Sequence, residues 1–268
     1  MPINEENAML YSVRPLLNCL RLMFFSCLLA MVLNMAPITV SFGATAATNE
    51  EIALNLATLL RSARAVISDN QKKINDASLG DKGLTANVVV TIAKENFKKA
   101  TGKDIEPLLS DGLQGELLTS ELAAIGSVMD DAQAVINQQG VGLKGFLPAI
   151  FARQVTEKFR QNSGGKADLK LTAPKNYVRN RANRPDKWEH SVIENQFKSA
   201  SYTKGQAYSE NTQKKGKPAF RLMIPEYYKQ SCLACHGEPK GARDITGGKK
   251  EGGVLGELGG SISVSIFQ

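Results

Sequence analysis

The chain is poor in the side chains that bind soft metals. It holds four cysteines, two histidines and one tryptophan in 268 residues. Cys19 and Cys27 fall in an apolar amino-terminal stretch, so only Cys232 and Cys235 remain beyond it, with His190 and His236 as the two histidines. Four soft ligands for a structural zinc are hard to assemble from that set. No Walker loop or dinucleotide fingerprint occurs in a strand-to-helix context, which excludes nucleotide binding by those routes. A second apolar run of membrane-spanning length is also missing.

What is present is concentrated in one segment. Ser231-Cys232-Leu233-Ala234-Cys235-His236-Gly237 is a C-x-x-C-H, which reads as the attachment site of a c-type haem. Two thiols separated by two residues can form thioethers with the two vinyl groups, and the histidine after them lies under the iron as an axial ligand. The competing readings are a redox dithiol, with His236 tuning a thiol, and half of a zinc site. A thioredoxin-like motif opens a helix after a strand in a βαβ unit, whereas a glycine-rich loop comes next here. In the haem reading each of the three residues has a separate job, and no cysteine is then spare for a disulfide.

The amino terminus has the order of a secretory signal peptide. Arg14 and Arg21 flank the start of an apolar run from Leu22 to Leu33, which continues more weakly to Phe42 and ends in Ala44-Thr45-Ala46-Ala47. Cleavage is expected after Ala46. The alternative is an uncleaved anchor helix, against which Asn34 and Pro37 interrupt the run. Either way the body of the protein is expected outside the bacterial inner membrane, in the periplasm, where c-type haem is attached.

The formal charge is +7, and cleavage leaves it unchanged because Arg14 and Arg21 balance Glu5 and Glu6. Export argues against nucleic acid as the partner of this charge. An acidic partner protein and anionic lipid are the other uses of such a charge; the lysine pairs are scattered as on a solvated surface, so the charge implies good solubility and leaves room for an acidic partner.

Residues 47–165 read as a helical region. Apolar residues recur near the 3.6 period from Ile52 through Ile74, predicting one helix that ends before Gly80. Further helices are predicted over Thr85–Ala100, Leu117–Asn137 and Leu147–Asn162. A faint repeat runs through them: Lys82-Gly83 and Lys144-Gly145 each precede a helix, and at the same offset Glu95, Phe97 and Gly102 match Glu157, Phe159 and Gly164. Upstream, the stretch from Ala63 to Ile67 resembles that from Ala132 to Ile136, but only with a gap. Duplicated hairpins and coincidence both account for this, so the repeat carries no functional weight.

Residues 166–268 change texture. Leu169 and Leu171 alternate with Lys170, Ala219 to Ile224 is short and apolar, and Ile262, Val264 and Ile266 alternate with serines, predicting strands. Asp186 is placed to cap a helix through Trp188, Ile193 and Phe197. Beyond the C-x-x-C-H, glycines from Gly247 to Gly260 crowd a lysine-containing stretch. It reads either as a flexible surface loop or as backbone that approaches a porphyrin and its propionates. The fold class is therefore α+β, a helical region followed by an antiparallel sheet with helices.

Four stretches carry a resemblance: LTAPKNYVRNRANRPDKWE over 171–189, CLACHGEP over 232–239, DITGG over 244–248 and GGSISV over 259–264. They resemble the uncharacterised family of periplasmic c-haem proteins with a PAS-like sensor fold. That resemblance implies a PAS-like sheet carrying one covalent haem c, with Cys232 and Cys235 as thioether positions and His236 as proximal ligand. It also implies a redox- or gas-sensing role. Some relatives use a cysteine thiolate as sixth ligand, from the helix before the sheet; the corresponding helix here, around Ala149 to Arg153, has none. Met129, Met223 and His190 are then the side-chain candidates for the distal position, with lysine, water or an open site as further options. Arg179, Arg181, Lys229 and Arg243 are candidate propionate partners by proximity or by the family match.

Three functions are expected, in order. The first is a redox or diatomic-gas sensor, which signals to a separate partner because the sequence carries no kinase or methyl-accepting segment after the motif. The second is a single-haem electron-transfer protein that docks an acidic or haem-bearing partner. The third is a haem enzyme such as a peroxidase, for which the two histidines offer no convincing distal arrangement, so catalytic turnover is not expected. Membrane contact is expected only through an uncleaved leader.

Overall fold

Local signals mark most of the helix ends in the structure, a computed structural model that describes residues 47–268. The expected leader over 1–46 lies outside the described residues. Helix α1 (Asn49–Asp69) starts in a capping box: Glu51 N–H donates to the Thr48 hydroxyl at 3.2 Å, and Thr48 N–H donates back to the Glu51 carboxylate at 3.0 Å. The one long helix expected up to Gly80 is instead two. Asn70 interrupts it, its side chain donating to Val66 O at 2.8 Å, and a single turn, α2 (Gln71–Ile74), comes after. Helix α3 (Ala86–Thr101) is capped by Thr85 and closed by Gly102 in the left-handed region.

Helix α4 (Gly112–Ile136) begins earlier than the predicted Leu117. Gly112 and Gly115 look like helix breakers, but Gly115 lies against the turn Glu106–Ser110, where a Cβ would come 2.2 Å from Leu109 O. Its missing side chain permits close packing inside a continuing helix. Helix α5 (Pro148–Asn162) has proline in its first turn, where no N–H is needed.

The repeat is built into the fold. Asn75 Oδ1 accepts from Lys144 N–H at 2.9 Å, and Asn137 Oδ1 accepts from Lys82 N–H at 2.9 Å. Gln71 donates to Ile67 O and Phe146 O, as Gln133 does to Met129 O and Leu84 O. The same spacing separates Gln71 from Gln133, Asn75 from Asn137 and Lys82 from Lys144. The upstream match therefore needs no gap, and aligning the stretch from Ala63 to Ile67 with that from Ala132 to Ile136 is the wrong register.

Strands β1 (Ala167–Thr172), β2 (Tyr208–Lys214), β3 (Lys217–Tyr227) and β4 (Leu258–Phe267) form one antiparallel sheet in the order β1-β4-β3-β2. The α+β class is as expected. Strand β2 was not predicted, since Tyr-Ser-Glu-Asn-Thr-Gln-Lys is polar, as suits a sheet edge. It joins β3 through Lys215 and Gly216, both at positive φ, the geometry of a tight hairpin.

The two faces of the sheet differ. Leu169, Leu222, Ile224, Ile262, Val264 and Ile266 share one buried core with Leu56, Leu60, Leu118 and Phe159 of the helices. The opposite face carries Asp168, Lys214, Arg221, Ser263 and Ser265, all buried. Lys214 pairs with Asp168 at 2.9 Å, and Arg221 pairs with Asp186 at 2.7 Å. Asp186 caps α6 (Lys187–Val192), which continues as a π turn, Ile193–Phe197. Burial of paired rather than single charges avoids an uncompensated desolvation cost.

Candidate functional site

The ladder between β3 and β4 slips at Glu226 and Tyr227, where a bulge turns the chain out of the sheet. Glu226 anchors this exit to α1: Arg61 Nε donates to it at 2.6 Å and Arg64 Nη1 at 2.8 Å, while Arg61 Nη2 reaches Pro225 O at 3.1 Å. Burial opposes ionisation of Glu226, yet the two guanidinium groups outweigh it and hold the carboxyl below the usual glutamate range. Sequence reasoning missed this clamp. Its signal was two arginines three apart on one helix face.

Helix α7 (Gln230–His236) carries the C-x-x-C-H. Its i, i+3 spacing puts Cys232 and Cys235 on one face, and both are unpaired and partly buried. Lys229 N–H donates to Cys232 Sγ at 3.4 Å. Burial pushes the Cys235 thiol up, and the nearby Asp244 carboxylate adds to this.

His236 ends the helix with its ring stacked on Tyr228, centroids 5.4 Å apart and planes at 22°. Its Nδ1 lies 2.8 Å from Glu251 Oε2. A carboxylate at that distance favours the tautomer with the proton on Nδ1, which leaves the Nε2 lone pair for a metal. Glu251 is held in turn by Arg179, whose Nε donates to Oε1 and whose Nη2 donates to Oε2 at 3.1 Å. Arg179 also pairs with Asp244 and donates to Cys235 O at 2.5 Å and Lys249 O at 3.0 Å. One guanidinium thus ties the motif helix to the glycine-rich loop. Burial opposes ionisation of Asp244, but hydrogen bonds from Thr246 and Arg179 outweigh it and hold the carboxyl at about 2.

The loop's glycines answer partly to Tyr228. A Cβ on Gly253 or Gly259 would come 2.3 or 2.4 Å from its ring, and Gly253 N–H donates to His236 O at 2.8 Å. At these two positions the close approach is to a tyrosine. Tyr177 donates to Glu257 at 2.5 Å and packs beside Tyr228, which continues the aromatic layer under the histidine. That hydrogen bond, with burial added, pushes the Tyr177 phenol up to about 12.

A cleft of about 500 Å³ opens beside the motif, lined on one side by Asn176 to Arg179 and on the other by Lys240, Gly241 and the segment from Gly248 to Glu251. Of the residues singled out in the sequence, Arg179 lines it. Lys229 is the N-cap of α7. Arg243 donates to Gly247 O at 2.8 Å inside the loop, and Arg181 is exposed in a 3₁₀ turn. Met129 lies in the main core, and Met223 in a second cluster with Val192, Ile193 and Phe197. His190 sits on α6, its Nδ1 3.9 Å from Glu194. None of these three lines the cleft. Among the described residues, no three His, Cys, Asp or Glu side chains converge as a metal site of their own, and no helix is long and apolar enough to cross a membrane.

An α+β protein with a Cys-x-x-Cys-His helix hung from its sheet, and a carboxylate bonded to the histidine, defines the class. The chain belongs to the Tll0287-like family, whose model matches residues 45–266. No curated protein and no solved structure matches it.

Proposed function

We propose that the protein is an exported c-type haem protein with a PAS-like sensor fold, acting as a redox or diatomic-gas sensor through a separate partner. The observation that carries this reading is the donor set on α7: two unpaired thiols on one helix face, then an imidazole whose Nδ1 is already bonded to Glu251. Cys232 and Cys235 would hold the haem through thioethers, and His236 Nε2 would ligate the iron. The adjoining cleft, with Lys240, Lys249 and Lys250 along it, suits a group that carries two carboxylates. When bound, the group supplies a one-electron couple and an iron that can take a small gas. The leader-like amino terminus supports a periplasmic location.

Sensing ranks first because the segment that leads into the motif is clamped to the helical region by Arg61, Arg64 and Glu226, a connection through which a change at α7 would be felt at α1. A single-haem electron carrier is the second reading, favoured by the lysine-rich rim of the cleft, which suits an acidic partner. Catalytic turnover is not proposed.

The test is an absorption spectrum of protein purified from a host that attaches c-type haem, oxidised and reduced, with and without carbon monoxide. Covalent haem that survives denaturation, lost in Cys232→Ala/Cys235→Ala and altered in His236→Ala, is the expected result. Protein that carries no covalent haem under these conditions overturns the reading. Fast, salt-dependent electron exchange with an acidic carrier would favour the second reading over the first.

A further inference from the structure

The contact between His236 and Glu251 does more than select a tautomer, and its second role rests on the haem reading. Glu251 is not a flexible acid that happens to lie near an imidazole. Its side chain is 8% exposed, and both oxygens are engaged by Arg179. Arg179 is itself held by the buried carboxylate of Asp244 and by the carbonyls of Cys235 and Lys249. The carboxylate is therefore aimed at Nδ1 by the fold of the whole loop.

An imidazole whose N–H is bonded to an anion carries more electron density on its other nitrogen than one bonded to a neutral carbonyl. That nitrogen then stabilises the more highly charged state of a metal bound to it. We propose that Glu251 sets the reduction potential of the site, holding it low by polarising His236, and that the charge of Arg179 limits the strength of this effect. The guanidinium neutralises part of the carboxylate's charge, so the two residues pull the potential in opposite directions. Glu251 is a positioning and tuning residue: it is placed to act on the iron through the imidazole it bonds, not to ligate it.

The experiment is a potentiometric titration of the holoprotein. Glu251→Gln keeps the side chain's size and an oxygen for Arg179 but removes the charge. The redox equilibrium of this variant should move at least tenfold toward the reduced form, about 59 mV for one electron. Arg179→Gln should move it the other way, because the carboxylate is then unopposed. A loop that merely loosened and let water in would shift both variants in the same direction, so equal signs overturn the proposal. So does a Glu251→Gln equilibrium within twofold of wild type on a protein that still carries covalent haem; in that case the haem reading stands and the tuning role alone falls. If Glu251→Gln fails to retain the group, the sign of the Arg179→Gln shift decides. A wild-type protein without covalent haem removes both readings together.

Discussion

Arg64 Nη1 lies 2.8 Å from Glu226 Oε2, joining the first helix to the last ordered stretch of strand before the motif. Arg61 occupies the other carboxylate oxygen at 2.6 Å. A long-range contact thus supports the exit of the chain toward Cys232, and it is charged.

Glu226→Gln should destabilise the fold by about 1–3 kcal/mol, since it leaves two guanidinium groups beside a neutral amide. The pH dependence has a definite sign. The folded carboxyl is held below its usual 4.5, so its contribution is fully present above that pH and is lost as pH falls through the folded value. Urea denaturation across pH 3 to 7 should show a shallower acid limb in the variant; an unchanged limb would remove Glu226 from acid stability.

Glu121 titrates with the opposite sign. It is fully buried on α4 with no hydrogen-bond partner on either oxygen, and burial raises its carboxyl well above 4.5. The folded state therefore keeps a proton that the unfolded chain gives up, and stability falls as pH rises above 4.5. In the repeat its counterpart is Leu59, also fully buried. Glu121→Leu should raise the midpoint of thermal unfolding at pH 7, and Glu121→Gln should flatten the decline between pH 5 and 8. If the wild-type midpoint does not fall over that range, a carboxylate is being accommodated by relaxation of the core.

The paired asparagines should behave alike. Asn75→Ala and Asn137→Ala each orphan the backbone N–H of a lysine in the facing hairpin, at an expected cost of about 1–2 kcal/mol each. Chemical denaturation of the two single variants checks this, and a large asymmetry between them would show that the halves are not equivalent in energy.

Gly259→Ala drives a methyl group into the Tyr228 ring, which has no room to retreat because Gly253 packs on it as well. Overpacking of this kind costs about 1–3 kcal/mol. The ring that stacks on His236 would shift with it, so near-ultraviolet circular dichroism should change along with stability. A variant with wild-type stability and spectrum would show that the loop yields instead.

The readable parts of this chain were those with a local code. Thr85 and Gly102 mark a helix by capping chemistry, and Ile262, Val264 and Ile266 mark a strand by alternation, so both elements lie where expected. Strand β2 carries no such code: its outward residues face water and its only large apolar side chain is Tyr208. The repeat was visible in part, but hydrophobic residues alone suggested the wrong upstream register. The spacing of Gln71 with Gln133 and Asn75 with Asn137 settles it, because those side chains make equivalent hydrogen bonds. At the site, Cys232, Cys235 and His236 were legible as one motif. Glu251, Glu226 and Arg61 were not, because their partners are distant in sequence and nothing local announces a pairing that only folding creates.

The reciprocal bonds between the two helical hairpins have the form of an isologous interface, in which residue i of one copy meets residue j of the other and the reverse contact recurs. A lone hairpin of this design would offer an asparagine oxygen and a lysine N–H complementary to its own duplicate. The amino-terminal half of this protein is in that sense a homodimer made continuous, and the peptide linking its halves fixes at one to one a partnership that two separate chains would have to find by collision.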